Sequence, residues 1–140
     1  MEDLNKYSEN EQMGGSSSAF INSINQLIME VKKFIMDIKE FEQPTYTQTQ
    51  DTKFMMEKYG EAVQMNSKVL DYIRKCEFNI SICKDVIASL NTDNIVNQKM
   101  KRQVNNLSDR IKNLMDPLYT EEKRMDRILR FYEKTYNTFM

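Results

Sequence analysis

Apolar residues along this chain recur at alternating steps of three and four over three separate stretches. In the first, Ile21, Ile24, Ile28, Val31, Ile35 and Ile38 keep heptad time, flanked at strict sevens by Phe20, Leu27, Phe34 and Phe41. This predicts a helix over 19–43 whose apolar stripe is too wide for a two-stranded seam, so it needs at least two neighbours. Pro44 cannot continue the helix, and a polar Thr/Gln segment follows as a linker. The second stretch, Met55, Tyr59, Ala62, Asn66, Val69, Ile73, Cys76, Ile80, Cys83, Ile87 and Leu90, alternates fours and threes without a break. It predicts a helix over 51–91, on the order of 55 Å long, with coiled-coil periodicity.

Asn91-Thr92-Asp93-Asn94 then interrupts the pattern with good capping residues. A new phase begins after it: Met100, Val104, Leu107, Ile111, Leu114 and Leu118, continued by Met125, Ile128, Tyr132 and Phe139. A turn at 91–94 is the preferred reading, with a continuous helix carrying a stammer as the other. The third helix, over 94–140, contains Pro117, which predicts either a kink or a fresh start with Asp116 as cap. Ahead of everything, 1–18 is polar, with Gly14-Gly15 and Ser16-Ser17-Ser18, and reads as a disordered tail whose last serines cap the first helix. The expected fold class is all-α, either a long-helix coiled coil or a three-helix bundle.

Two positions disturb the second seam. Asn66 is a polar residue at a core position, where it either selects register and partner or marks a place that water reaches. Gly60 weakens the helix by roughly 1 kcal/mol against Ala. It is tolerated only if it lies outside the seam or if a partner backbone comes close.

Composition adds exclusions. The 140 residues hold 3 Gly and 2 Pro, too few breakers for a turn-dense β fold, and no His, which removes the commonest general base and transition-metal ligand. No phosphate-binding loop, nucleophile elbow or calcium loop occurs, and charged candidates such as Glu121-Glu122 or Asp109-Arg110 are expected on polar helix faces, where i,i+4 pairing explains them. We therefore expect no enzyme, no cofactor and no metal. Cys76 and Cys83, seven apart, sit about 10 Å apart along a helix, too far to bridge each other, and read as small core residues in a reducing compartment.

Net charge is -1, which gives no global field for nucleic acid or an anionic membrane, but it is unevenly spread. Residues 1–95 carry 10 Lys/Arg against 15 Asp/Glu, and 96–140 carry 10 against 6. That asymmetry favours folding the last helix back antiparallel, or docking it on an acidic helix. The last stretch also sets Tyr119, Phe131, Tyr132, Tyr136 and Phe139 beside Lys123, Arg127, Arg130 and Lys134, a mixture that interfaces favour. No apolar run is long enough for a membrane span, and the beginning is too polar for a signal peptide, so cytosol or nucleus is expected.

Tyr59, Val63, Asn66-Ser67, Val69-Leu70 and Ile80, followed by Val104, Ile111, Leu114-Met115, Leu118 and Glu121-Glu122, resemble the coiled-coil region of the central-channel FG-nucleoporins. The family's Trp is missing, Pro44 interrupts a region that is helical in that family, and no Phe-Gly dipeptide occurs. The resemblance therefore implies only the anchoring role, a coiled-coil subunit in the channel ring of the nuclear pore. More generally the seams predict assembly with other coiled-coil proteins, as a hetero-oligomer or a homo-oligomer, with no nucleic acid and no membrane insertion. The partner-binding residues expected are Tyr59, Asn66, Val69, Ile73, Ile80, Ile87, Val104, Leu107, Ile111, Leu114, Leu118, Phe131 and Tyr132. The other functional settings compatible with the pattern are a membrane-trafficking module, such as a syntaxin-like regulatory bundle or a tethering or organelle-biogenesis subunit, and a cytoskeletal or kinetochore coiled coil. A regulatory bundle should bury its first stripe within the chain, whereas an assembly coiled coil should leave a seam open.

Overall fold

The computed structural model describes residues 12–45 and 47–139, without the side chains of 12–17, 136, 138 and 139. It is all-α: three helices, α1 (Gln12–Lys39), α2 (Thr52–Ser89) and α3 (Ile95–Phe139), packed as a bundle. A short 3-10 turn, Gln48–Gln50, lies between α1 and α2.

Each helix boundary has a local cause. After Lys39 the ladder tightens, with the Glu40 and Phe41 N–H groups donating to the carbonyls of Asp37 and Ile38. Pro44 is buried beyond that end. In the linker, the Thr45 N–H donates to Gln48 Oε1 at 2.9 Å and the Gln48 N–H to Thr45 Oγ1 at 3.3 Å, a reciprocal arrangement like a capping box. Asp51 caps α2 by accepting the Phe54 N–H at 3.1 Å. At 90–94 the chain turns: Asn94 Oδ1 accepts the Asn97 N–H at 2.8 Å, capping α3, and Asn97 and Gln98 reach back to the carbonyls of Asn91 and Thr92. The predicted turn, not the stammer, is what forms.

Two expectations at helix ends are corrected. The first helix begins at Gln12, ahead of the expected 19, so Ser17 and Ser18 lie inside α1 and do not cap it. Once a helix is nucleated, each added residue gains a hydrogen bond, so a good helix can run into a sequence that would not start one. Residues 1–11 of the expected tail lie outside the described residues. In the third helix, Pro117 does not restart anything; α3 is one helix with the proline inside it. The proline denies Asn113 its usual donor, and Asn113 is exposed, so solvent can take the carbonyl while Leu114 and Leu118 stay packed.

The chain comprises two compact units, and each helix contributes to both. In the first (1–32 and 76–114), Ile24, Leu27, Ile28 and Val31 of α1 share a core with Cys76 and Cys83 of α2 and Val104, Leu107, Ile111 and Leu114 of α3. The short turn makes α2 and α3 of this unit an antiparallel hairpin. In the second unit (33–75 and 115–140), Phe34, Ile35, Ile38 and Phe41 pack with Met55, Ala62, Val69 and Ile73 and with Leu118, Met125, Ile128 and Tyr132. Here Phe34 meets Tyr72 with ring centroids 5.0 Å apart, while Lys58 lies 5.8 Å from the Phe41 ring. As α1 advances its partners on α2 recede, so these two helices are antiparallel as well.

Candidate partner-binding surface

The wide stripe of α1 is consumed inside the chain: Ile24, Ile28, Val31 and Ile38 are at most 1% exposed. The same holds for most of the residues expected to bind partners. Val69, Ile73, Val104, Leu107, Ile111, Leu114, Leu118 and Tyr132 are buried core residues, so the expectation that they contact a partner is corrected. A heptad line reports that a face is covered; it carries no information on whether the cover comes from the same chain. Five expected residues keep some accessibility. Asn66, Ile80, Ile87 and Phe131 are half-buried, and Tyr59 is 38% exposed. Asn66 therefore lies where solvent reaches the edge of the seam, and its side chain makes no hydrogen bond among the described residues.

Tyr59 links α2 to α3. Its ring stands edge-on to Tyr132 at 6.2 Å, and its hydroxyl donates to Glu133 at 3.5 Å. Tyr132 beneath it is 2% exposed, and its hydroxyl has no hydrogen-bond partner among the described residues. Burial, with Glu61 adding to it, pushes the Tyr132 phenol up from 10.0 to about 12. Burial, with a smaller contribution from Glu77, pushes the Cys76 thiol up from 9.0 to about 11. The Cys83 thiol is raised by burial too, with Lys112 pulling the other way. Both thiols are free and fully buried.

These shifts fix a pH dependence. Below pH 9 the groups are protonated in both folded and unfolded chains and contribute nothing. Above it the unfolded chain releases protons that the folded chain retains, so stability falls as pH rises, from Cys76 between about 9 and 11 and from Tyr132 between about 10 and 12. Each two-unit gap is worth up to about 3 kcal/mol. Tyr132→Phe is expected to remove the second part of that loss and, by deleting an unsatisfied buried hydroxyl, to gain about 1 kcal/mol at pH 7. Urea unfolding at pH 7 and 11 measures both; a variant that loses stability at pH 7 contradicts the reading of an orphaned hydroxyl.

Arg124 forms a second buried polar site. Its Nε donates to Glu121 Oε1 at 2.8 Å, one Nη to the Phe41 carbonyl at 2.5 Å and the other to the Ile38 carbonyl. A guanidinium on the last carbonyls of α1 meets the negative end of that helix. Glu121 is only 5% exposed, which corrects the expectation that it falls on a polar face. Its place was legible in α3: Glu121 fills the step between Leu118 and Met125 on the buried line, where the other acids of the helix fall off it.

No protein-family model, curated protein or solved structure matches the chain. Surface chemistry is then the guide to function. Among the described residues, no three Cys, Asp or Glu side chains gather as a metal site, and no helix is long and apolar enough to cross a membrane. Large apolar residues do stand exposed: Met29 and Met36 on α1, Met56, Tyr59, Val63 and Phe78 on α2, and Ile95, Val96 and Tyr119 on α3. Isolated exposures of this kind are ordinary. Met56, Tyr59 and Val63 differ in falling at helical spacing on one face, and sequence reasoning passed over Met56 because it is one position off the core line. Its signal was there to find: Met56, Val63 and Leu70 repeat at strict sevens.

Proposed function

We propose that this chain is a non-enzymatic helical subunit that assembles with partner helices in a multiprotein complex. The observation that carries this reading is the exposed pair Met56 and Val63, one position off the core line of α2 and beside the part-exposed Tyr59. A contiguous apolar strip on a well-packed bundle is surface left over for another protein. Sedimentation of the purified chain, with affinity capture from its native cells, tests it. Recovery in a stoichiometric complex is expected; a compact monomer that retains no protein at physiological salt rejects it.

The resemblance of 59–122 to the central-channel nucleoporins supports placing that complex in the nuclear pore. A trafficking module with a syntaxin-like regulatory bundle is the second reading, and what favours it is the burial of the α1 stripe from Ile24 to Phe41 within one chain. Proximity labelling separates the two, since pore and vesicle neighbours share few proteins.

A further inference from the structure

In the second unit the three helices do not end together. The Ile38 and Phe41 carbonyls, by accepting from Arg124, set the end of α1 beside that residue of α3. α1 stops at Lys39, whereas α3 continues past Arg124 to Phe139, on the order of 20 Å further. Over that stretch α2 still accompanies α3, with Tyr59 against Tyr132 and Glu133, but α1 does not. A bundle that loses its third helix should uncover the core line of the other two. Met125, Ile128 and Tyr132 are nevertheless at most 3% exposed.

The cover is the connection between α1 and α2. Phe34 lies against Tyr72 and Phe41 against Lys58, so the chain leaving α1 heads along the pair toward the start of α2 at Thr52, about two turns ahead of Tyr59. Among residues 40–45 and 47–51, Phe41, Pro44 and Thr49 are buried and the others are exposed. Phe41 is held from both sides, its ring 5.8 Å from Lys58 Nζ on α2 and its carbonyl on Arg124 of α3. The N–H groups of Thr49, Gln50 and Asp51 donate to the carbonyls of Thr45, Thr47 and Gln48, and Thr45 and Gln48 bond each other reciprocally. Those bonds shape the segment from within. Attachment to the pair comes from the buried side chains and from Arg124. Few buried side chains and solvent-exposed backbone bonds mark a segment that opens at lower cost than the helices around it. The Arg124 side chain is 25% exposed, so water is at hand for the guanidinium when the carbonyls leave.

We propose that this connection is a strap that opens as a local unit, with Arg124 as its fastening, and that opening bares Met125, Ile128 and Tyr132 while the rest of α1 and the first unit stay folded. The device is internal to the chain and does not rest on the assembly reading.

Thiol labelling of the full chain tests this, with Met125→Cys as reporter and with Cys76 and Cys83, fully buried in the first unit, as markers of global unfolding. The introduced thiol should react at least about tenfold faster than either marker. Val104→Ala, in the core of the first unit, should speed the markers and leave position 125 unchanged, because opening the strap breaks no contact of Val104. Arg124→Met should speed position 125 about thirtyfold. Equal rates at all three positions, a rate at 125 that rises with Val104→Ala, or one that ignores Arg124→Met overturns the proposal. Ile128→Cys reports the same opening if circular dichroism shows that Met125→Cys does not fold.

Discussion

Arg124→Met is expected to destabilise the chain by about 2–3 kcal/mol, less than the cost of breaking a fully buried ion pair because the Arg124 side chain is 25% exposed. The variant keeps most of the aliphatic stem, so lost packing is a minor part. What it removes is three donors at once. Glu121, whose side chain is 6% exposed, is left with a carboxylate that has lost its Arg124 donor. The carbonyls of Phe41 and Ile38, at the negative end of α1, lose the guanidinium that satisfied them. Glu121→Gln alone should cost less, because Arg124 keeps both carbonyls and the amide oxygen still accepts. Combining the two changes should recover part of the loss, since the buried charge is then gone. Urea unfolding of the three variants at pH 7 gives the coupling, and a loss under about 1 kcal/mol for Arg124→Met would show that solvent replaces it freely.

Leu118→Ala is expected to cost about 2–5 kcal/mol in the isolated chain. Leu118 is fully buried in the second unit, one turn of α3 from Glu121 and one residue past Pro117, where a cavity has least backbone freedom to collapse. The comparison that gives this meaning is Val63→Ala, which should change stability by under about 1 kcal/mol because Val63 is exposed on the outer line. Thermal or urea unfolding reads both variants; a marginal effect at Leu118 would mean that its cover is supplied by a partner after all.

The alternation of threes and fours was enough to determine the helices, since an α-helix returns to the same face at that spacing whatever it packs against. The starts of α2 and α3 were equally legible. Asp51 and Asn94 carry the short polar side chains that caps require and lie where α2 and α3 begin, whereas α1 ends at Lys39, before Pro44 and before the expected end at 43. At Pro117 the sequence left a kink or a fresh start open, and the structure removes the fresh start: α3 is one helix, with a buried line that keeps phase on both sides of the proline.

What only the tertiary structure decided was who covers each line. Tyr59 and Val69 lie on the same line of α2, one 38% exposed and one fully buried, because the chain's other helices cover the second completely and the first only in part. Arg124, off that line, gains its partners for the same reason: the end of α1, over 80 residues away along the chain, brings the Phe41 and Ile38 carbonyls to it. Periodicity is a property of one helix and follows from local geometry. Burial is a property of several, and depends on which faces meet.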